Sequence, residues 1–241
     1  MRFRYVMLLA ALLLAGGCLD ATDSPPDGAV DGAADVGLPE SAGDGSVEVG
    51  PDGEEDVGPE TPAPLTADEI ALILSGSADT AMDIVTNETP EGDAFLHEPS
   101  VPVDPTDPVV QQLIARMRLT LAAASGGVGL SAVQVGVHRR IFLAQRTDQT
   151  GHPVQAFLNP LIVEYSPETR AAAEGCLSVP GASPSVTRSL WITIDYDGED
   201  AVPIVGETIG STTGPLVIYA ARIVQHEYDH LQGRLIVDPA P

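Results

Sequence analysis

The stretch from His226 to His230, which reads HEYDH near the end of the chain, constrains the fold more than any other segment. Residues four positions apart lie on one face of an α-helix, so the two histidines can bind one metal ion with Glu227 beside it. A catalytic metal commonly has three protein ligands and an open fourth position. The fold must therefore bring a third ligand to this helix from elsewhere in the chain.

Few residues of the chain are candidates for the third ligand. The other histidines, His97, His138 and His152, stand in no recognisable partner motif, and no Glu follows Glu227. Cys176, in the glycine-flanked segment EGCLSVPG, is the remaining candidate, and a thiolate with two imidazoles suits both zinc and ferrous iron. The alternative is an exposed amphipathic helix whose histidines bind no metal.

The first part of the chain differs in charge from the rest. Of the 35 acidic residues, 21 lie between Asp20 and Glu98, whereas no Lys or Arg occurs between Arg4 and Arg116. Residues 19–65 contain too little apolar surface to offset the entropy of ordering, so we predict a disordered acidic tether there and one folded domain over residues 66–241. The net charge of −24 repels phosphate, which argues against nucleic-acid binding.

Residues 1–18 resemble a bacterial lipoprotein-type signal peptide. Arg2 and Arg4 precede an apolar run that ends in small residues, and Cys18 follows directly. In such signals the cysteine is lipidated, so we expect Cys18 to anchor the protein in the cell envelope, on the periplasmic or outer face. An ordinary secretory signal or a short anchor helix is the alternative. If Cys18 is acylated, Cys176 has no disulfide partner within the chain.

The order of helix and strand signals predicts an α+β fold, with mostly antiparallel sheets packed around the C-terminal HExxH helix. Capping signals start helices at Thr66 and Asp107, and the second of these ends at the glycines 126–127. The last helix is predicted from about Pro215 to Gln232 and ends at Gly233. Four apolar runs between the helices are predicted to be strands: RIFLAQ, VQAFLNPLIVEY, LWITIDYD and AVPIVGETI.

Three segments resemble the motifs of the peptide deformylase family and occur in that family's order. They are GVGLSAVQ (127–134), EGCLS (174–178) and QHEYDHLQG (225–233). Three separate matches argue against coincidence, and the resemblance extends over roughly residues 95–238. It implies a peptide deformylase-like fold and a metal-dependent enzyme that hydrolyses the N-formyl group of N-formylmethionyl peptides and releases formate.

The resemblance also implies a metal site and a proton acceptor. One divalent ion would be held by Cys176, His226 and His230. The family typically works best with Fe²⁺, Ni²⁺ can substitute, and Zn²⁺ is a further candidate because iron and thiol are prone to oxidation outside the cytoplasm. Glu227 would accept the proton of the attacking water and pass it to the departing amine.

The remaining family roles concern the substrate and its support. The Gln134 side-chain amide and the Leu177 backbone N–H would stabilise the negative charge that develops on the formyl oxygen. An ion pair between Glu174 and Arg188 would hold the loop that contains Cys176, called the cysteine loop below. Alternatively, Arg188 and Arg222 could be solvated charges. The peptide and its methionine would be bound by Val128, Gly129, Gly175 and Ile223.

The chain departs from the family pattern at three places. Ser131 stands where the family usually has Ala, and Ser183 stands where many members carry an Arg near the substrate. Only eight residues follow Gly233, so we do not expect the terminal helix with which bacterial members dock on the ribosome. An envelope location would also separate the enzyme from nascent chains.

Three functions remain open from the sequence. The first is an envelope-anchored deformylase or a related amidase with an altered N-acyl substrate. The second is a peptide-binding lipoprotein with weak catalysis, against which the complete set of motif residues argues. The third is an endopeptidase based on HExxH, against which the thiolate ligand and the formyl-pocket motifs argue.

Overall fold

The computed structural model describes residues 61–239. The predicted signal peptide, with Cys18, and residues 19–60 of the predicted tether lie outside the described residues. Within the described part, no helix is both long enough and apolar enough to cross a membrane.

The described residues form four α-helices, seven strands and one 3₁₀ helix. The α-helices are α1 (Ala67–Leu74), α2 (Pro90–Leu96), α3 (Pro108–Ala123) and α4 (Pro215–Leu231). The strands are β1 (Gly129–Ser131), β2 (Ile141–Gln145), β3 (Val154–Tyr165), β4 (Thr169–Ala173), β5 (Ser185–Ser189), β6 (Trp191–Asp197) and β7 (Pro203–Gly210). The 3₁₀ helix, Ala132–Val135, follows β1 directly.

Two antiparallel sheets organise these elements, which confirms the predicted α+β class. One sheet has five strands in the order β1-β2-β3-β6-β7, and the other is the hairpin β4-β5. Helix α4 packs against β1, β2 and β7. The core on this side of the sheet is formed by Phe142, Phe157, Ile192, Ile209, Ile223 and Val224. Helix α4 is therefore held by the sheet along its apolar face.

The helix boundaries follow local capping chemistry. The Thr66 side chain accepts the Glu69 N–H, and the Glu69 carboxylate accepts the Thr66 N–H, so the predicted capping box is present. The Asp107 side chain caps α3 by accepting the Val109 N–H at 2.8 Å. Helix α3 ends earlier than predicted, at Ala123, because the backbone of Ala124 is extended. The predicted end of α4 is confirmed, since Gly233 takes a left-handed φ of 67°.

Arg139 fastens α1 and the chain before it to the rest of the domain. Its buried guanidinium donates to the carbonyls of Ala63 and Pro64, at 2.7 and 2.8 Å, and to both carboxylate oxygens of Glu69. Burial raises the pKa of Glu69, but its hydrogen bonds with Arg139 and Thr66 outweigh burial, and the net pKa lies below its usual value.

Loss of this carboxylate is expected to destabilise the protein in a pH-dependent way. Because the pKa of Glu69 is lowered on folding, its contribution is present above the unfolded pKa of 4.5 and is lost as the pH falls through the folded value. Glu69→Gln should cost about 1 kcal/mol of unfolding free energy at pH 7 and progressively less below pH 4.5. Urea unfolding across this range measures the effect, with the exposed Glu88→Gln as control. An equal loss of unfolding free energy at every pH would contradict the predicted role of the Glu69 charge.

Candidate metal centre

Three side chains meet at one point beside helix α4. Cys176, His226 and His230 each offer one ligand atom, and these atoms all lie within 4.8 Å of one another. The Cys176 Sγ is 3.2 Å from the His230 Nε2. Among the described residues, this is the only group of three histidine, cysteine or carboxylate side chains arranged in this way.

Two separate parts of the chain supply these side chains. His226 and His230 are one helical turn apart on α4 and so lie on one face. Cys176 lies in the loop between β4 and β5, where the Val179 N–H donates to the Cys176 carbonyl at 3.2 Å and closes a tight turn. The third ligand that the sequence predicts is therefore placed by a hairpin loop that packs against the helix.

The chemistry of this donor set fits a divalent metal ion. Burial, followed by the charge of His226, holds the pKa of His230 well below its usual value, so this imidazole is neutral and has a lone pair to offer. The His226 Nδ1 lies 3.0 Å from a Glu174 oxygen, which leaves its Nε2 for a ligand bond. A soft thiolate and two imidazoles are the ligands that zinc and ferrous iron accept.

In the ion-free protein, His226 is expected to carry a proton. Burial lowers its pKa, but its hydrogen bonds with Cys176 and Glu174 outweigh burial and raise it to about 10. A cation that bound at this imidazole would have to displace the proton, so metal binding is coupled to proton release.

A buried carboxylate, Glu174, supports the centre through its contact with His226. It accepts hydrogen bonds from Arg188 Nε and Nη2, at 3.1 and 3.0 Å, and from Arg222 Nη1. Burial raises its pKa, but the hydrogen bonds with His226 and Arg188 outweigh burial, and the net pKa is about 2. Arg188 also pairs with Asp229 on α4. Neither arginine is a solvated surface charge, because both are less than 10% exposed.

The Gln134 side chain is held at both ends. Its Oε1 accepts the Ser131 N–H at 2.8 Å. Its Nε2 lies 3.1 Å from the Ser178 Oγ and 3.6 Å from the Cys176 Sγ. The amide NH₂ group is thus directed toward the ligand cluster and away from the 3₁₀ helix that carries it.

The Glu227 carboxylate is buried against strand β1. The Ser131 hydroxyl donates to its Oε2 at 2.7 Å. A Cβ on Gly129 would stand only 2.3 Å from its Oε1, so a larger residue at this position would displace the carboxylate. Burial raises the pKa of Glu227 to about 7, while the nearby charge of His226 and the Ser131 hydrogen bond act in the opposite direction.

A cleft of about 340 Å³ opens over these groups. Ten of the twelve site residues predicted from the sequence line it, namely Val128, Gly129, Gln134, Glu174, Gly175, Cys176, Leu177, Ile223, His226 and Glu227. The other two, Arg188 and His230, are buried and do not line the cleft. The structure therefore brings the predicted residues together, while their roles stay predictions.

Sequence reasoning missed several contacts of the site. Asp229 pairs with Arg188, Ser178 bonds to the Gln134 amide, and Tyr219 lines the cleft. Ser131 was recognised only as a small departure from the family pattern, whereas its hydroxyl contacts Glu227. Arg222 stands four residues before His226, and this helical spacing is the sequence signal that could have placed it at the site.

Comparison with protein families gives one matching model. The family described as polypeptide deformylase matches residues 82–241. The peptide deformylase of Pseudothermotoga lettingae is 41% identical over 150 residues, covering 62% of this chain and 80% of the relative. The peptide deformylase of Neisseria meningitidis serogroup C is 38% identical over 146 residues, covering 61% of this chain and 81% of the relative.

Solved structures agree with the sequence comparison. The crystal structure of peptide deformylase from Thermotoga maritima matches with a TM-score of 0.56 and 35% identity, over 67% of this chain and 99% of that one. A Met-Ala-Ser-bound class I type b peptide deformylase from Acinetobacter baumannii matches with a TM-score of 0.56 and 26% identity, over 66% of this chain and 98% of that one. The region before residue 82 lies outside the family match.

Removal of the Glu174 charge is expected to weaken metal binding. In Glu174→Gln, the neutral amide would hold His226 less firmly, would leave the buried Arg222 without its carboxylate, and would leave Arg188 with Asp229 alone. Affinity for Zn²⁺, measured by competition with a chelator at fixed pH, should fall about tenfold or more. Glu168→Gln, in the exposed turn before β4, serves as control. Unchanged affinity in a folded Glu174→Gln protein would contradict the supporting role.

Proposed function

The chain belongs to the polypeptide deformylase family, and from this we propose that it is a metal-dependent hydrolase that removes the N-formyl group from N-formylmethionyl peptides. One observation carries the proposal. One cysteine sulfur and two imidazoles converge beside the cleft, next to a buried carboxylate and a fixed side-chain amide. The metal and its identity are part of the proposal, with Fe²⁺ first and Zn²⁺ or Ni²⁺ as alternatives.

The ion would be held by Cys176, His226 and His230. When bound there, a divalent ion supplies Lewis acidity and makes water a stronger acid near neutral pH. The negative charge of Glu174 supports this arrangement, because it orients His226 and balances the cationic groups around the ligands.

Gln134 and Leu177 are proposed to bind the formyl oxygen. The Gln134 Nε2 lies beside the ligands, where it donates to the Ser178 Oγ at 3.1 Å and to the Cys176 Sγ at 3.6 Å. To bind the formyl oxygen, one N–H would exchange the long contact with the sulfur for that oxygen. The Leu177 N–H makes no hydrogen bond to any residue in the described range and lies at the cleft. Two donors aimed at an oxygen that becomes negative stabilise the tetrahedral state more than the planar substrate.

Glu227 is proposed to move the proton. Water adds to the formyl carbon and gives its proton to the Glu227 carboxylate, and the C–N bond then breaks. The same carboxyl group passes the proton to the departing amine, so formate and a free peptide amine are the products. In the ion-free protein, burial raises the pKa of Glu227 to about 7, and a carboxyl group in so enclosed a site is suited to act as both acceptor and donor.

The peptide is proposed to lie along the cleft between β1 and the cysteine loop. Val128 and Ile223 contribute apolar side chains that would surround the methionine, and Gly129 and Gly175 leave backbone groups open to the peptide. No arginine other than Arg222 lines this cleft within the described residues, and Arg222 is committed to Glu174. We therefore expect recognition of a neutral peptide backbone and an apolar first side chain.

Location in the cell envelope is a further part of the proposal. Its support is the lipoprotein-type sequence of residues 1–18, with Cys18 as the lipid anchor. Full-length protein should fractionate with membranes, and Cys18→Ala should release it. Equal membrane association of the two proteins would contradict the anchor and leave the deformylase proposal untouched.

Deformylase activity is tested with the full-length protein loaded separately with Fe²⁺, Ni²⁺ and Zn²⁺. Formate release from formyl-Met-Ala-Ser is expected, and Glu227→Gln should reduce kcat about 10³-fold because the amide cannot accept the proton. Glu168→Gln is the matched control.

Metal content and thermal unfolding of each variant separate a loss of chemistry from a loss of structure. If no metal supports turnover although the ion binds, the deformylase proposal fails. Retention of the peptide without formate release would then favour a binding protein.

A further inference from the structure

Ser131 links the two side chains that are proposed to do the chemistry. It is fully buried at the end of β1 and does not line the cleft. Its backbone N–H holds the Oε1 of Gln134, and its hydroxyl reaches the Oε2 of Glu227 at 2.7 Å. The first contact comes from the backbone and the second from the side chain, so replacing the side chain leaves the first donor in place.

The Ser131 hydroxyl has two possible acceptors on Glu227. It is 2.7 Å from the carboxylate Oε2 and 3.0 Å from the backbone carbonyl oxygen. One hydroxyl proton serves one acceptor well at a time, and the charged oxygen is both nearer and the stronger acceptor. Within the described residues, no other side chain donates a hydrogen bond to this carboxylate.

Strand geometry adds a second restraint on the same group. Gly129 and Ser131 are two residues apart on β1, so they face the same side of the strand, toward α4. The missing side chain of Gly129 makes room for the Glu227 Oε1, and Gly129 lines the cleft. One oxygen of the carboxylate is therefore engaged by Ser131, and the other lies on the cleft side.

We propose that Ser131 is a positioning residue that fixes the Glu227 carboxylate so that its Oε1 alone exchanges protons with water and the leaving amine. This rests on the proposed deformylase activity and adds a residue whose side chain departs from the family's usual Ala. Without the hydroxyl, the buried carboxylate rotates more freely and spends less time in the productive orientation. The effect belongs to the chemical step and not to peptide or metal binding.

The primary test compares Ser131→Ala with the parent as full-length, metal-loaded proteins. The family's usual residue is Ala, so this variant is expected to fold. The expected result is about a tenfold fall in kcat for formate release, with KM and metal stoichiometry unchanged. Ser100→Ala removes a buried hydroxyl that has no hydrogen-bond partner within the described residues, and it should leave kcat unchanged.

A double-mutant cycle asks whether Ser131 acts through Glu227. The carboxylate of Glu227→Asp is one methylene shorter and loses the serine contact, so adding Ser131→Ala should lower kcat little further. If the two substitutions lowered kcat by independent factors, the proposal would be overturned. Independent factors are the result expected when Ser131 has a structural role that does not act through Glu227.

The outcomes also separate this inference from the proposed function. If the parent releases formate and Ser131→Ala keeps a kcat within about twofold of it, the positioning role is wrong and the deformylase assignment stands. If the parent releases no formate with any metal, the proposed function fails and the positioning role fails with it.

Discussion

The buried Glu174 carboxylate is the interaction on which the arrangement of the site depends. It receives hydrogen bonds from Arg188 on β5, from Arg222 on α4 and from His226 on α4. Since Glu174 lies two residues before Cys176, this single carboxylate joins the cysteine loop, the β4-β5 hairpin and the histidine helix. Burial of a charge is costly, and here the cost is offset by cationic and hydrogen-bonding partners on each side.

The centre contains two buried carboxylates with opposite properties. Glu174 is surrounded by positive groups and has a pKa of about 2, so it stays charged and serves as a fixed support. Glu227 has one hydroxyl donor and is otherwise enclosed, and its pKa is raised to about 7. A difference of this kind separates a structural carboxylate from one that can exchange protons near neutral pH. The two roles follow from their surroundings, because the side chains are chemically identical.

Local sequence signals predicted much of the fold. The capping residues at Thr66 and Asp107 placed two helices, and apolar runs placed β2, β3, β6 and β7, because caps and hydrophobic patterns act over a few residues. The β4-β5 hairpin was missed because its strands are short and largely exposed, with no apolar alternation to reveal them. Helix α2 was also missed, since its seven residues contain a glycine and little periodicity.

The convergence of Cys176, His226 and His230 was predictable from the sequence, and the supporting contacts were less so. HExxH has a fixed helical spacing, and elimination left Cys176 as its partner. The contacts of Arg222 with Glu174 and of Ser131 with Glu227 join residues 48 and 96 positions apart, which no local pattern encodes. The outer surroundings of a site depend on tertiary structure, and here they give the two carboxyl groups their different pKa values.

X-ray absorption spectroscopy of the metal-loaded, full-length protein shows whether Cys176, His226 and His230 bind the ion, because it reports the atoms bonded to the metal. One sulfur and two imidazole nitrogens are expected, and Cys176→Ser should remove the sulfur signal. A spectrum of the parent protein without sulfur would show that the hairpin loop does not supply the third ligand to the helix.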